Sequence, residues 1–156
     1  MRIAIVGGTG TVGRHTTRAA RAAGHEVVVL SRASGADVHS GEGLDTALVD
    51  ADVVIDVTNM TSLSAKRARA FFESGTRNLL AAEERAGVRH HVALSIVGID
   101  DIDASYYAGK LAQERAVSAG AVPFTIARAA QFHEFAGQLL NGTRGPSAVI
   151  PRAPVR

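Results

Sequence analysis

The stretch Gly7-Gly8-Thr9-Gly10-Thr11-Val12-Gly13 joins a short apolar run at residues 3–6 to a run of helix-forming residues at 11–23. An apolar run that ends in glycines is typical of a buried strand. Gly24, which closes the second run, is typical of the end of a helix. The stretch therefore predicts the turn between the first strand and the first helix of the chain.

The glycine spacing in this turn fits a phosphate-binding loop. Gly7 allows the tight turn, Gly10 lets the backbone approach a pyrophosphate, and Gly13 lets the helix pack closely on the sheet. The start of the helix offers free N–H groups and a partial positive charge to an anion. We predict a dinucleotide site whose residues are Gly7, Thr9, Gly10, Thr11, Val12 and Gly13, against the alternative of a glycine turn without a ligand.

Apolar runs alternate with helical runs along the rest of the chain. Strands are predicted at 3–6, 26–30, 52–57, 91–97 and 123–127, and helices at 11–23, 44–49, 64–86, 104–119 and 132–140. Residues 34–43 are interpreted as a loop with at most a stub of strand near 38, and 149–150 as the start of one more strand. This alternation indicates an α/β fold, a Rossmann-type doubly wound parallel sheet flanked by helices on both faces. The loops that follow the strands are expected at one rim, where such sheets bind ligands.

The composition is that of one globular domain. The 156 residues are 46% hydrophobic and 21% charged, with a net charge of +2, which is an ordinary mixture for a soluble protein. Positive charges do not cluster with aromatic residues, and no apolar run is long enough to cross a bilayer, so we expect neither nucleic-acid nor membrane binding. Without a visible signal peptide, a cytoplasmic location is expected. The absence of cysteine excludes disulfides and thiol catalysis.

The end of the second predicted strand favours NADP over NAD. Many NAD-binding domains place a carboxylate there for the ribose 2′-hydroxyl, but this chain has Ser31 and Arg32, and its next carboxylate is Asp37. Arg32 can pair with a 2′-phosphate, and Ser31 can donate a hydrogen bond to it. The alternative is that Arg32 is a solvated surface arginine.

Tyr106 and Lys110 are four residues apart at the start of a predicted helix, which places them on one helix face. A neighbouring ammonium lowers the pKa of a phenol, so we expect Tyr106 to exchange a proton with a substrate oxygen. Lys110 is also placed to hold the nicotinamide ribose. The alternative is a boundary aromatic residue and a surface lysine with a buried stem.

Other polar residues follow the predicted strands. Ser95 lies near the end of the fourth strand and is a candidate to bind a substrate oxygen, although a buried serine with no such role fits nearly as well. Thr58 and Asn59 are expected at the cofactor rim. The segment 131–134 is expected near the nicotinamide or substrate, with packing favoured over catalysis for His133.

No metal site is predicted. Asp100, Asp101 and Asp103 lie close together but lack further ligands at metal spacing. We interpret them as a solvated loop before a helix, with Asp103 or Ser105 as its N-cap.

Several segments resemble the atypical short-chain dehydrogenase/reductases, in particular the NmrA-like, NAD(P)-binding branch. They are GGTGTVG at 7–13, AGVRH at 86–90, LSIVG at 94–98, YYAGKLAQE at 106–114 and ARAAQFH at 127–133. The resemblance implies an NADP(H)-dependent oxidoreductase with Tyr106 and Lys110 as the catalytic pair and Ser95 as a third member. The family often has two serines here, whereas position 96 is Ile. The resemblance also suggests a homodimer.

Family chains extend further than this one. Residues 1–156 are therefore expected to form the NAD(P)-binding domain, without the part that covers the substrate. The predicted function is oxidation or reduction of a small carbonyl or quinone-like molecule. The alternative is a regulatory protein of the NmrA-like kind that senses the nucleotide without turnover.

Overall fold

The computed structural model describes residues 1–60, 62 and 64–130. Its strands are β1 (Arg2–Val6), β2 (Glu26–Leu30), β3 (Val53–Asp56), β4 (His90–Ile96) and β5 (Phe124–Ala129). Its α-helices are α1 (Thr11–Ala22), α2 (Leu44–Ala47), α3 (Ala65–Ala86) and α4 (Ser105–Ser118), and a 3-10 turn spans Arg32–Ser34. The elements predicted at 132–140 and 149–150, and the rim residues expected at 131–134, lie outside the described residues.

The strands form one sheet in the order β2-β1-β3-β4-β5, and every neighbouring pair is parallel. The predicted parallel sheet is therefore confirmed. After β2 the chain passes to the other side of β1 to form β3. The space beyond the ends of β1 and β3 is thus the topological switch point, where sheets of this type bind ligands.

Alternate residues of the strands face two helical layers. On one face, Ala4, Val6, Leu30 and Val54 belong to a core that also contains Leu79 and Ala82 of α3. On the other face, Ile3, Ile5 and Val57 pack against Val12 and Ala20 of α1. Helices therefore cover both faces of the sheet, as the α/β pattern predicts.

Helices α3 and α4 pack against each other at a glycine. A Cβ atom on Gly109 would lie 2.6 Å from Cδ2 of Phe72 and 2.8 Å from the backbone of Ala68. The lack of a side chain at Gly109 therefore lets the two helices approach closely, and it brings α4 over the ring of Phe72.

The predicted cap of α4 is wrong. The N-cap is Ala104, and no side chain of the described residues caps the helix. Ser105 has a φ of 52°, and its hydroxyl donates to the carbonyl of Ser62 at 3.2 Å. Asp103 forms an ion pair with Arg69 at 2.6 Å. Both candidate caps are thus occupied by contacts with residues more than 30 positions away, which the local pattern does not reveal.

Candidate functional site

The glycine loop forms an open helix N-terminus at the switch point. Gly7 has a φ of 79°, and the N–H of Gly10 donates to the Gly7 carbonyl at 3.0 Å, which closes the turn. Gly10 is the N-cap of α1, and no described side chain caps this end. The N–H groups of the first helical turn, which begins at Thr11, therefore have no acceptor within the helix. Such a group of donors fits a phosphate.

The shape of the loop depends on Gly13. A Cβ atom at this position would lie 2.2 Å from the Gly7 carbonyl oxygen and 2.5 Å from Cα of Gly8. A Cβ atom on Gly7 would in turn lie 3.1 Å from Cα of Thr58. The predicted rim residue Thr58 is therefore beside the glycine loop, and exposed Asn59 follows it.

Arg14 is a charged residue of this loop that the sequence reasoning missed. Its Nη1 donates to the carbonyl of Thr9 at 2.7 Å. The contact braces the loop and places a positive charge next to the helix N-terminus. The feature of the sequence that could have indicated this role is the position of Arg14 directly after Gly13.

Ser31 and Arg32 lie beside the glycine loop, because the Gly7 N–H donates to the carbonyl of Leu30 at 3.0 Å. The Ser31 N–H donates to Oγ of Ser34 at 2.9 Å, which fixes the 3-10 turn. Arg32 is exposed. Among the described residues, its guanidinium has no hydrogen bond or ion pair, so its charge is available to a ligand.

Tyr106 does not have the lowered pKa that the Tyr-Lys spacing predicts. Its ring packs edge-on against Phe72, with 5.8 Å between the ring centroids. Burial raises the pKa of Tyr106 to about 12, and electrostatic interactions with the Tyr107 phenol and the Asp56 carboxylate act in the same direction. The expectation was wrong because burial of the phenol, which the helical spacing does not reveal, has the largest effect on its pKa. The phenol therefore stays protonated at neutral pH.

Lys110 is a buried lysine, so the surface alternative is also wrong. Only 2% of the residue is exposed. Its Nζ donates to Oε1 of Gln113 and lies 4.9 Å from the centroid of the Phe72 ring, a cation–π arrangement. Burial lowers the pKa of Lys110 to about 8, against the opposing effect of the Asp56 and Glu114 carboxylates.

Gln113 and Asp56 complete this arrangement, and the sequence reasoning missed both. Nε2 of Gln113 donates to Oδ2 of Asp56 at 2.7 Å. Oδ1 of Asp56 accepts from the backbone N–H of Thr58 at 2.8 Å. Two features of the sequence could have indicated them: Asp56 is a carboxylate within an apolar strand, and Gln113 is an amide one helical turn after Lys110.

Ser95 is 3% exposed and lies on the face of β4 that packs against α4. No hydrogen bond among the described residues joins Ser95, Tyr106 and Lys110. The structure therefore brings these candidates to one end of the sheet, at β4 and α4, without connecting them directly. Their catalytic roles remain predictions.

Arg128, at the end of β5, ties the neighbouring elements together. Its guanidinium makes two hydrogen bonds of 2.7 Å to Asp100 and bonds of 3.0 and 2.7 Å to Glu114 of α4. The Arg128 charge and hydrogen bonds lower the pKa of Asp100 against the effect of burial. The acidic loop is thus held by ion pairs with arginines.

The described residues contain no candidate metal site and no helix that could cross a membrane. In residues 1–60, 62 and 64–130, no three His, Cys, Asp or Glu side chains are grouped so that they could hold a metal ion. No helix in the same residues combines the length and the apolar composition needed to cross a membrane. The candidate site consists of the glycine loop and the polar residues at the ends of β2, β3 and β4.

A curated relative of this chain is the photosystem II assembly factor Ycf39 of Synechocystis. The two are 33% identical over 111 residues, which are 62% of this chain and 34% of the relative. This chain thus spans about a third of the length of that protein.

Solved structures share the fold. A short-chain dehydrogenase/reductase superfamily protein from Agrobacterium tumefaciens, with bound NAD, matches with a TM-score of 0.65 and 26% identity over 82% of this chain and 48% of that one. A UDP-N-acetylglucosamine 4-epimerase from Bacillus cereus matches with a TM-score of 0.69 and 22% identity, over 82% of this chain and 58% of that one.

The family assignment follows from the whole chain rather than from the loop alone. Residues 7–155 match the NAD(P)H-binding family. This span begins at the first glycine of the loop and includes the helix that carries Tyr106 and Lys110. The resemblance to the NmrA-like, atypical short-chain dehydrogenase/reductases is confirmed, and this chain belongs to the NAD(P)H-binding family.

Proposed function

We propose that this chain is the cofactor-binding part of an NADP(H)-dependent oxidoreductase that acts on a small carbonyl or quinone-like substrate. The observation that carries the proposal is the position of Tyr106 and Lys110 on the helix that follows β4, in a sheet whose switch point has an open phosphate loop. A bound nicotinamide supplies or accepts the hydride in such enzymes. The chain provides a proton donor and a buried ammonium at the same end of the sheet.

The preference for NADP(H) rests on the end of β2. Arg32 is exposed there and has no ion pair among the described residues. A guanidinium makes charge-assisted, bidentate hydrogen bonds to phosphate. Its fixed charge near the glycine loop favours a nucleotide with a 2′-phosphate over one with a free 2′-hydroxyl.

The proton step is assigned to Tyr106. Because burial raises its pKa to about 12, the phenol carries its proton at neutral pH and is ready to donate it to a substrate oxygen. This state suits the direction of reduction. The Lys110 ammonium, held by Gln113 on the same helix, provides a positive charge that stabilises the resulting phenolate.

The test is NADPH oxidation in the presence of a panel of quinones, aldehydes and ketones, followed by absorbance of the reduced nicotinamide. We expect Tyr106→Phe to lower turnover by about 100-fold or more, the usual contribution of a general acid, without weaker NADPH binding. Tyr107→Phe, a matched change on the exposed neighbour, should stay within about twofold. Equal turnover in the wild type and in Tyr106→Phe would contradict the assignment.

A second candidate function is nucleotide sensing without turnover. The observation that favours it is that, among the described residues, no hydrogen bond joins Tyr106 to Lys110, whose ammonium is bound to Gln113. A sensor needs the glycine loop but no proton donor. NADPH binding with no oxidation by any member of the panel, and equal thermal stabilisation by NADPH in the wild type and Tyr106→Phe, would favour the sensor.

A further inference from the structure

A buried hydrogen-bonded chain runs from the loop after β3 into α4. It starts at the N–H of Thr58, passes through the carboxylate of Asp56 and the amide of Gln113, and ends at the ammonium of Lys110. The three side chains are 2%, 1% and 2% exposed, respectively. We call these three side chains the Asp56–Gln113–Lys110 chain.

The chemistry of the three groups allows only one arrangement. A carboxylate only accepts hydrogen bonds and an ammonium only donates them, whereas an amide does both at opposite ends. Gln113 must therefore present its NH2 group to Asp56 and its oxygen to Lys110. The position of Asp56 thus determines where the acceptor for Lys110 lies.

The ammonium needs this compensation because it is almost completely removed from water. Burying an unpaired charge is strongly unfavourable. The groups that face Lys110 are the Phe72 ring of α3, the carboxylates of Asp56 and Glu114, and Gln113. Arg128 already holds the Glu114 carboxylate with two hydrogen bonds. Asp56, linked through Gln113, is therefore the carboxylate joined to Lys110 by hydrogen bonds.

Asp56 also reaches the cofactor side of the site. Its other oxygen accepts from the Thr58 N–H, and Thr58 lies against Gly7 of the phosphate loop. One carboxylate thus contacts the loop expected to line the nucleotide and, through Gln113, the candidate catalytic lysine. A change at Asp56 should affect both.

We propose that Asp56 and Gln113 are positioning residues that hold the Lys110 ammonium and fix it relative to the nucleotide-binding loop. Their function in catalysis rests on the proposed oxidoreductase. Neither residue needs to touch the substrate. The physical part of the proposal, the control of the Lys110 ammonium, is independent of any turnover.

The titration of Lys110 can be followed directly, because the protein has only two lysines, Lys66 and Lys110. Lysine-selective isotope labelling gives one NMR signal for each, and Lys66→Arg assigns them. In Asp56→Asn, the Lys110 titration midpoint should fall by about one pH unit or more, since an opposite charge is removed. Asp45→Asn removes a carboxylate from the surface and should leave the midpoint unchanged.

Gln113→Met keeps the volume of the side chain and provides a second test if Asp56→Asn does not fold. It should also lower the midpoint, but by less, because Asp56 retains its charge. A Lys110 midpoint in either variant that equals the wild-type value would overturn the proposal.

Nucleotide binding separates this proposal from the proposed function. We expect NADPH to bind Asp56→Asn about tenfold more weakly than the wild type, because the Thr58 loop and Lys110 both lose their support. If the wild type binds no nucleotide, the proposed function fails while the lysine titration still decides the positioning role. If the wild type binds and the titration midpoints do not move, only the positioning role fails.

Discussion

The glycine loop and the Asp56–Gln113–Lys110 chain lie at the same end of the sheet but are built in different ways. The loop consists of seven consecutive residues and acts through its backbone. The Asp56–Gln113–Lys110 chain acts through side chains, and Asp56 and Gln113 are 57 positions apart in the sequence. Local sequence therefore determines the glycine loop, whereas the Asp56–Gln113–Lys110 chain depends on the packing of α4 against the sheet.

The largest expected effect concerns the glycine loop, the site that local sequence determines. Gly13→Ala should weaken NADPH binding by about 100-fold or more, because its Cβ would lie 2.2 Å from the Gly7 carbonyl and would open the phosphate loop. The measurement is a fluorescence titration with NADPH.

Gly24→Ala is the matched control. Gly24 has a φ of 80° with nothing within 4 Å of its Cβ position. The substitution should cost about 1 kcal/mol of stability from the left-handed backbone and leave NADPH binding unchanged. Equal effects of the two substitutions on binding would break the claim that the loop is a local, backbone-built site.

The second-largest expected effect is a loss of stability when the close packing of α3 against α4 is disturbed. Gly109→Ala should lower the free energy of unfolding by about 1–3 kcal/mol, because overpacking forces neighbouring groups to move and the Cβ would meet the Ala68 backbone at 2.8 Å. Urea denaturation measures it. At Gly120 the nearest atom is the flexible end of Leu80 at 3.1 Å, so Gly120→Ala should cost less than about 0.5 kcal/mol. A reversed order would contradict the close α3–α4 packing.

The bounds of strands and helices depend on local sequence, as the glycine loop does, and could therefore be predicted. The bounds of β2 agree with the apolar run at 26–30, and α3 begins and ends within one residue of the predicted helix, because caps and apolar periodicity are local signals. Gly87, which follows the helical run, provided such a signal at the end of α3.

The polar contacts of the candidate site could not be predicted in this way. The Tyr106-Lys110 spacing placed both residues on one helix, but it did not show that Lys110 is bound to Gln113. Nor did it show that Phe72, from another helix, packs against Tyr106. These contacts depend on how α3 and α4 meet, which no local pattern records. The pKa of Tyr106 was therefore expected in the wrong direction.

A smaller effect, the dependence of stability on pH, is expected from the buried pair of Glu83 on α3 and His91 on β4. Nδ1 of His91 and Oε1 of Glu83 are 2.7 Å apart, and both side chains are fully buried. Burial alone lowers the pKa of His91, but the hydrogen bond and charge of Glu83, together with the charge of Asp56, outweigh it and raise the pKa. The pair therefore holds a proton more tightly in the folded state than an exposed histidine does.

The sign of the stability change follows from this raised pKa. The contribution is fully present below the unfolded pKa, about 6.5, and is lost as the pH rises through the folded value. Urea denaturation at pH 6 and pH 9 measures the difference. Glu83→Gln should lose more stability, relative to the wild type, at pH 6 than at pH 9. A loss that is larger at pH 9 would contradict the prediction.

We proposed above that this chain binds NADP(H) at the glycine loop with Arg32 on the 2′-phosphate. The most direct measurement is a pair of titrations, with NADPH and with NADH, of the wild type, Arg32→Ala and the control Arg21→Ala at the far end of α1. We predict tighter binding of NADPH than of NADH. Arg32→Ala should weaken NADPH binding by about tenfold or more, the contribution of a charged hydrogen bond, and leave NADH binding unchanged. Equal binding of the two nucleotides by the wild type, or binding of neither, would contradict the account.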